Sequence, residues 1–502
     1  MVNLRDSLLA TLKSLPGARE FHIHVLVSSP RKDFALFHFA HPRPRSYLQD
    51  ILILLSEQTT PDSPRIFVSA IEASIYNLPS TSCGILYISK VDTTGQGIQP
   101  SPAAVLVRSL ITFYCDPATR PIAVDHLWVH LFARAQGQYL FPNSSEYAGK
   151  RPLTDTKLCA WWKRLLADVA KELDTRAGPK ARIKLYYVLP GYSEMEAINA
   201  LKVAPTSASW TYGHPYSQSD IPLPCPMSSG NHNLGHFIPS FNDDPKSRFM
   251  DEIAYTTDKD GVVSPRPKRP KTTHGDVSSA KFIPADGEKD RKDDQPLGEL
   301  GKVMPDEFWE RMSFRQECVA GAVTGFFTMA FSLPYLKEPT RLERISPLEA
   351  QNGQVSSQIN KRIMTTLVTG VEFSTVERSI RGTETVESAI KGLCEGLATK
   401  PAPAVRIRPV LQHSRGDSGR QTPERDSSEL PEPPHTPPRR QRLLVTDISP
   451  NPFPEPIASL ETYDSYIYGT VTVSNPGLEV KAVDEKAGLV TVLTARKKKK
   501  KN

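Results

Sequence analysis

Hydrophobic and polar positions along this chain repeat with two periods, one typical of strands and one typical of helices. Runs rich in β-branched and aromatic residues predict strands at 20–28, 84–90, 124–134 and 181–191. Apolar residues spaced three and four apart predict helices at 4–15, 101–115 and 153–173. Because strands and helices alternate over about 230 residues, we expect an α/β fold built as one main domain.

Two irregular segments interrupt this alternation. Residues 91–97, "VDTTGQG", predict a turn with Asp92 and Gly95 at its tip. Residues 135–152 form a loop rich in glycine, proline and serine, and loops of this length in a compact domain are usually functional. The loop begins after Arg134, contains Gly137, and ends with Lys150 and Arg151, so we expect backbone amides and cations to surround a pyrophosphate-sized space.

The stretch "FNDDPKSRF" at 241–249 predicts the start of a helix. Asp244 is a favourable N-cap, and Pro245 suits the first helical position because it has no amide hydrogen to satisfy. Phe249 and Ile253 then continue an apolar face at four-residue spacing. This local interpretation leaves Asp243 and Lys246 without an explanation.

The second half of the chain divides by composition. Residues 251–302 predict a disordered insert, and residues 398–457, with 13 prolines, predict a disordered linker. Between them, apolar residues on all sides predict one buried helix over 304–331, and a weaker pattern over 340–397 suggests two short helices within 374–397. We therefore expect a domain at 1–397 broken by the insert, the linker, and a C-terminal segment at 458–502.

Charge and composition narrow the class of protein. The net charge is +7, but the last seven residues, "RKKKKKN", carry six positive charges. A generally basic, nucleic-acid-binding surface is therefore not expected, and the tail favours nuclear import or an acidic partner. Six cysteines without a CxxC pair favour a reducing compartment, and no apolar run is long enough to cross a membrane.

Most familiar catalytic signatures are absent from the sequence. It contains no GxxxxGK[ST], GxGxxG, GxSxG or HExxH, which disfavours kinases, dehydrogenases, α/β-hydrolases and zinc proteases. Cys225, His232 and His236 lack a fourth ligand at regular spacing, so we expect no metal. The loop after Arg134 half-matches the R-x-x-G-x-G/A loop of GNAT acetyltransferases, but Tyr139 replaces the final small residue.

Four blocks of sequence resemble a known family. They are "YISKVDTTG" (87–95), "QYLFPNSS" (138–145) with "WW" at 161–162, "FNDDPKSRF" (241–249) and "FWERMSFRQE" (308–317), and the ending "VTVLTARKKKKK" is similar too. In this order they resemble the fungal histone acetyltransferases called regulator of Ty transposition, which modify histone H3 at lysine 56. The resemblance covers most of 1–335 and the extreme C-terminus.

The resemblance implies a fold and a set of roles. The fold would be that of CBP-type acetyltransferases, a central mixed β-sheet surrounded by helices, with acetyl-CoA held by the long loop and no metal. Asp244 and Asp92 would act on the proton of the acceptor lysine, Tyr139 would donate to the leaving thiolate, Trp162 would line the path of the lysine, and Lys246 would be self-acetylated. The residues implied for acetyl-CoA are Val91, Phe132, Arg134, Gln136, Tyr139, Lys150, Arg151 and Trp161.

The resemblance also implies a cellular context. Acetyl would pass to lysine 56 and N-terminal lysines of histone H3, with H3–H4 and the Nap-family and anti-silencing-function histone chaperones as partners. We expect a nuclear protein of replication-coupled nucleosome assembly and the DNA damage response, without sequence-specific nucleic-acid binding. Two alternatives stay open at this point: a non-catalytic histone-binding adaptor, and a GNAT-type acetyltransferase of small amines.

Overall fold

A computed structural model describes residues 3–203, 208–227, 232–254, 298–315, 322–333, 346–396 and 451–476. The predicted insert therefore lies mostly outside the described residues, as do most of the predicted proline-rich linker and the C-terminal basic tail. No helix in the described ranges is long and apolar enough to cross a membrane.

One ten-stranded sheet forms the centre of the protein. Its strand order is β10-β1-β3-β4-β5-β6-β9-β7-β8, with β2 added beside β3. Two pairs, β5 with β6 and β7 with β8, are parallel and the others are antiparallel, so the sheet is mixed. The strands are β1 (Gly17–Val27), β2 (Arg31–Asp33), β3 (Ser46–Gln58), β4 (Ile66–Leu78), β5 (Cys83–Thr93), β6 (His126–Ala133), β7 (Arg182–Val188), β8 (Trp210–Tyr212), β9 (Gly325–Ser332) and β10 (Tyr468–Asn475).

Helices cover both faces of this sheet. The helices are α1 (Leu4–Leu12), α2 (Ala103–Cys115), α3 (Asp155–Ala177), α4 (Glu194–Leu201), α5 (Pro245–Ala254), α6 (Pro305–Met312), α7 (Ser357–Thr369), α8 (Val376–Cys394) and the short α9 (Leu460–Thr462). Helices α1 to α4 pack on one face and α7 and α8 on the other. In β3, Ile51 and Ile53 face the first core while Leu52 and Leu54 face the second, as the two-residue period of a strand requires. The predicted α/β class is confirmed.

The sequence pattern predicts one helix over 304–331, and this prediction is wrong. Helix α6 ends at Met312, and residues 325–332 form β9, a central strand between β6 and β7. A strand buried on both faces is apolar throughout, so its pattern resembles that of a buried helix. The run "GFFTMAFS" is only eight residues long and rich in aromatic residues, which are features of a strand.

Two further predictions differ from the structure, and one strand pair was not predicted. Residues 376–394 form one continuous helix, α8, not two short ones, because Val386 and Ile390 keep one face buried throughout. Asp92 lies within β5 and not at the tip of a turn. Strands β3 and β4, which form the most extensive pairing of the sheet, have no counterpart among the predicted strands.

Candidate active site

A β-bulge in β5 gives this strand an irregular side-chain alternation. The pairing with β4 shifts between Glu72 and Ala73, where Ser89 is the extra residue and donates to the Glu72 carbonyl. Tyr87 and Lys90 are three residues apart and would point to opposite faces of a regular strand. Both instead contact the 241–243 segment: Tyr87 stacks on Phe241 at 4.0 Å and Lys90 Nζ lies 3.6 Å from Asp243 Oδ2.

Asp92, near the end of β5, holds the long loop through hydrogen bonds. Its Oδ2 accepts from the backbone N–H groups of Tyr139, Leu140 and Phe141 at 2.7, 2.8 and 3.1 Å. Its Oδ1 forms an ion pair with Lys150 Nζ at 2.8 Å, and that ammonium also donates to Ser144 Oγ at 2.7 Å. Both oxygens of the carboxylate therefore contact the loop. The sequence instead predicts that Asp92 acts on the ammonium of the substrate lysine.

Lys150 is predicted to bind coenzyme A phosphates, but its environment is not that of an accessible cation. Its side chain is only 5% exposed and its charge is paired with Asp92. The turn after β5 closes over it: Gly95 has φ +79°, and a Cβ there would come within 2.5 Å of Lys150 Cα. Only glycine fits this contact. Lys150 is thus a buried anchor of the loop, and the remaining predicted cations are Arg134, half-buried, and Arg151, exposed.

Tyr139 keeps its proton in this environment. Its hydroxyl donates to the Arg134 carbonyl, and burial, followed by the negative charges of Asp92 and Asp155, raises the pKa of Tyr139 to about 12. A protonated phenol at neutral pH can donate a hydrogen bond to a forming thiolate. Because a hydroxyl has only one hydrogen, the bond to the Arg134 carbonyl has to open before Tyr139 can donate to a thiolate.

The apolar residues of the predicted site lie at different depths. Trp162 is buried in the core of the α1–α4 face, and Trp161 is half-buried against it with ring centroids 4.8 Å apart. Val91 is half-buried against the same core, whereas Phe132 packs on Phe326 at 6.3 Å. Gln136 is exposed in the loop.

The 243–246 segment places two aspartates in opposite environments. Asp243 has φ +60° and a side chain that is 74% exposed, so its carboxylate reaches solvent. Asp244 is 1% exposed and begins α5 as predicted, with Oδ1 accepting the Lys246 N–H at 2.9 Å. Consecutive positions thus supply one accessible and one buried carboxylate.

Lys246 is a buried cation paired with Asp244. Its side chain is 4% exposed, and its Nζ lies 3.0 Å from Asp244 Oδ2. The angles of this contact are not those of a hydrogen bond. Within the described residues, Asp244 Oδ2 therefore accepts no hydrogen bond. The ammonium also lies 5.6 Å from the ring centre of Phe241 and 5.2 Å from that of Phe326. Two aromatic faces and one carboxylate therefore stabilise this charge.

Neutral groups surround the pair. Burial, and then the charge of Lys246, lowers the pKa of His130 well below its usual value, so this imidazole is neutral. Burial, and then the charge of Asp244, raises the pKa of both Tyr87 and Tyr216. At neutral pH these three rings are therefore uncharged neighbours of the Asp244–Lys246 pair.

The strands β6 and β9 connect the buried pair to the loop. Phe326 of β9 faces Lys246 and is the register partner of Phe132, which is two residues before Arg134 at the start of the loop. The hydroxyl of Tyr139 returns to the Arg134 carbonyl. The structure therefore brings together two predicted groups, the Asp92 loop and the Asp244–Lys246 pair, at the carboxyl end of β6.

Sequence reasoning did not identify the aromatic surroundings of Lys246. Tyr87, His130, Tyr216, Phe241 and Phe326 come from five separate segments, so no local motif relates them. Their only sequence signal is aromatic enrichment near strand ends. Cys225 and His236 do meet, with Sγ 3.4 Å from Nδ1, but no group of residues in the described ranges could hold a metal ion.

Comparison with known proteins places this geometry in a family. Residues 118–389, more than half of the chain, match the model of the histone acetyltransferase KAT11-type domain. The chain belongs to this family. The match includes β6, the loop, both tryptophans and the Asp244–Lys246 pair, whereas Asp92 precedes it.

Two curated relatives have low sequence identity to this chain. The chain is 27% identical to histone acetyltransferase rtt109 of Aspergillus flavus, over 59% of this chain and 50% of that protein. It is 24% identical to histone acetyltransferase rtt109 of Schizosaccharomyces pombe, over 65% of this chain and 72% of the relative. This KAT11-family chain therefore aligns with only half the length of the A. flavus protein.

A solved structure shares the fold. The crystal structure of Rtt109 from Aspergillus fumigatus superposes with a TM-score of 0.57 at 22% sequence identity, covering 78% of this chain and 96% of that chain. The mixed sheet with helices on both faces is thus a known acetyltransferase architecture. The CBP-like fold class expected from the sequence is confirmed.

Proposed function

We propose that this chain transfers the acetyl group of acetyl-CoA to lysine side chains of histone H3, lysine 56 and N-terminal tail lysines among them. The observation that carries the proposal is the buried Asp244–Lys246 pair beside a loop anchored by Asp92, in a KAT11-family chain. The printed names of both curated relatives, histone acetyltransferase, support the same activity.

The accessible carboxylate attracts the acceptor. A substrate lysine is protonated at neutral pH and must lose one proton, for which Asp244 is the proposed acceptor, before its nitrogen attacks the thioester carbon. Asp243, 74% exposed at the start of α5, is positioned to attract the incoming ammonium. When the amide C–N bond forms, the C–S bond breaks, and the Tyr139 hydroxyl is the donor for the departing thiolate of coenzyme A.

The buried pair supports self-acetylation of Lys246. Asp244 Oδ2 lies 3.0 Å from Nζ and accepts no hydrogen bond from the described residues, which supports it as the proposed acceptor of the Lys246 proton. The neutral amine attacks the thioester, and coenzyme A leaves as the thiol. Acetylation then removes the positive charge beside Asp244, which changes how this carboxylate acts in later turnovers.

Arg134 and Arg151 are the proposed contacts for the phosphates of acetyl-CoA. The two residues lie at opposite ends of the loop, where Arg151 is exposed and Arg134 is half-buried. A guanidinium pairs with phosphate oxygens through two hydrogen bonds, which favours this role. Gln136, Val91, Phe132 and Trp161 stay proposed contacts of acetyl-CoA on the strength of the family resemblance.

The proposed setting is the nucleus, in replication-coupled nucleosome assembly and the DNA damage response. H3–H4 is the proposed substrate, delivered by histone chaperones of the Nap and anti-silencing-function types. The basic tail "RKKKKKN" supports this setting, because its charges fit a nuclear import signal or an acidic chaperone.

Acetyl-CoA binding separates this function from that of a non-catalytic adaptor. We expect 1 mM acetyl-CoA to raise the unfolding temperature of the full chain, because a ligand that binds only the folded state stabilises it. Substituting both Arg134 and Arg151 by Ala should reduce this rise, whereas the control Arg182→Ala, on β7, should not. No rise in the wild-type chain would support the adaptor.

A further inference from the structure

Three large apolar side chains are exposed on two adjoining segments outside the site described above, helix α4 and the turn after α6. Met195 and Ile198 are 67% and 47% exposed on one face of α4, three residues apart, and Phe314 is 83% exposed just after α6. Single exposed apolar residues are ordinary, but a cluster of large ones marks a binding surface. We call Met195, Ile198 and Phe314 the rim patch.

The backbone holds Phe314 in a fixed position. Successive N–H groups of residues 313–315 donate to the carbonyls of residues 310–312, which forms a closed turn. On one side, a Cβ built on Gly191 would lie 3.6 Å from Ser313 Cβ, so the turn packs beside the segment that leads into α4. On the other side, Arg315 pairs with Glu252 and lies over the ring of Phe249, both on α5.

The rim patch borders the candidate active site. Helix α5, to which the turn is bound, carries Lys246. Trp309 of α6 lies 5.1 Å from Phe326, the same ring that lies 5.2 Å from Lys246 Nζ. The turn that holds Phe314 is therefore joined, through α5 and Trp309, to the elements that carry Lys246 and Phe326.

The charges around the rim patch favour a basic partner. Glu194 at the start of α4 and Glu310 of α6 are exposed carboxylates, and Asp306 is 90% exposed. Arg315, the cation next to Phe314, is paired with Glu252. An apolar centre with an acidic border matches a lysine- and arginine-rich segment that also carries a large apolar side chain.

We propose that the rim patch is the docking surface for the histone substrate itself: a basic segment of H3–H4 next to the acceptor lysine places an apolar side chain against Met195, Ile198 and Phe314. This inference rests on the proposed histone acetyltransferase function. It assigns a surface for substrate recognition that is separate from the residues proposed for chemistry and for acetyl-CoA.

Steady-state acetylation of H3–H4 by the full-length double variant Met195→Ser/Phe314→Ser tests the assignment. We expect KM for H3–H4 to rise about tenfold, as for loss of anchor residues at a protein interface, with KM for acetyl-CoA unchanged. Glu194→Lys/Glu310→Lys should also raise KM for H3–H4, more at low salt than at high salt. The controls are Phe34→Ser and Ile457→Ser, which remove apolar residues 72% and 89% exposed elsewhere.

The outcomes separate this inference from the proposed function. If wild type does not acetylate H3–H4, the proposed function fails. If wild type is active and the double variant keeps a wild-type KM for H3–H4, the docking surface is wrong while the function stands. If KM rises only when a histone chaperone is present, the rim patch binds the chaperone and not the histone, which also overturns the inference.

Discussion

Asp244 and Lys246 show how burial changes the meaning of a charged residue. In the sequence, "DDPK" predicts a helix start, and the structure confirms the cap. The same cap buries Asp244, which is 1% exposed, against a lysine that is also buried. A buried ion pair gains little net stability over apolar residues, so a functional reason for its presence is needed.

Asp244→Asn should reduce turnover about 100-fold, because a general base typically contributes a factor of this size to the rate. The asparagine can still cap α5, but it leaves the Lys246 charge buried and unpaired, so we expect a loss of about 3 kcal/mol of stability. Acetylation rates and urea unfolding of the same preparations measure both effects. The double variant Asp244→Asn/Lys246→Gln removes the unpaired charge and should recover stability but not turnover.

Self-acetylation should distinguish two buried lysines. Lys246 and Lys150 are 4% and 5% exposed, and each is paired with one aspartate. Lys150 is held by Asp92 and Ser144, whereas the partner of Lys246 has a carboxylate oxygen with no hydrogen bond from the described residues. Peptide mapping by mass spectrometry after incubation with acetyl-CoA should find acetyl on Lys246 and not on Lys150; an unmodified Lys246 in active enzyme would reject the proposal.

At the scale of elements, the loop at 135–152 owes its shape to one side chain of β5. The sequence marks the loop by its length and composition, but it does not reveal that Asp92 accepts three of the loop's backbone hydrogens. Such contacts join residues about 50 positions apart, and only the folded sheet brings them together. The ion pair of Lys150 with Asp92 was not predicted, for the same reason.

Asp92→Asn should destabilise the fold by about 3 kcal/mol, because it leaves the buried Lys150 charge without its partner. It should also weaken acetyl-CoA binding, since the loop loses its anchor. Asp243→Asn is the matched control for stability: its carboxylate is 74% exposed, and we expect a change of less than about 1 kcal/mol. Equal losses in the two variants, measured by urea unfolding, would show that the Asp92 contacts are dispensable.

The burial of His24 by the segment that leads into β10 introduces a pH dependence of stability. His24 of β1 is buried where its Nε2 meets the Tyr463 hydroxyl at 3.1 Å, and burial lowers the pKa of His24 to about 3. The unfolded chain binds this proton below about pH 6.5 and the folded chain does not, so stability is full above that pH and falls as pH decreases toward 3.

We expect a slope of about 1.4 kcal/mol per pH unit from His24 between pH 6 and 4, added to the contributions of other groups. His24→Asn, which can still bond to Tyr463, should reduce the slope by that amount. Urea unfolding at several pH values measures it. An unchanged slope would mean that His24 titrates in the folded protein.

At the scale of the whole molecule, sequence patterns predicted the α/β class and most elements of the first 190 residues that carry a clear period. They failed where both faces are buried: β9 has the pattern of a helix because a central strand exposes no polar side. They also missed the meeting of Lys246 with Phe326 and His130, because β9 and β6 become neighbours only through the sheet order. The family resemblance supplied the residue roles that periodicity could not.

We propose that this KAT11-family chain acetylates histone H3 through the Asp244–Lys246 site. The most direct measurement is transfer of radiolabelled acetyl from acetyl-CoA to H3–H4, with and without histone chaperones, by wild type and Asp244→Asn. We expect label on H3 with wild type and about 100-fold less with the variant. Asp220→Asn, which changes a carboxylate 52% exposed and paired with Lys184, should stay active. No label on H3 with folded, acetyl-CoA-binding wild type, or equal label with Asp244→Asn, would contradict it.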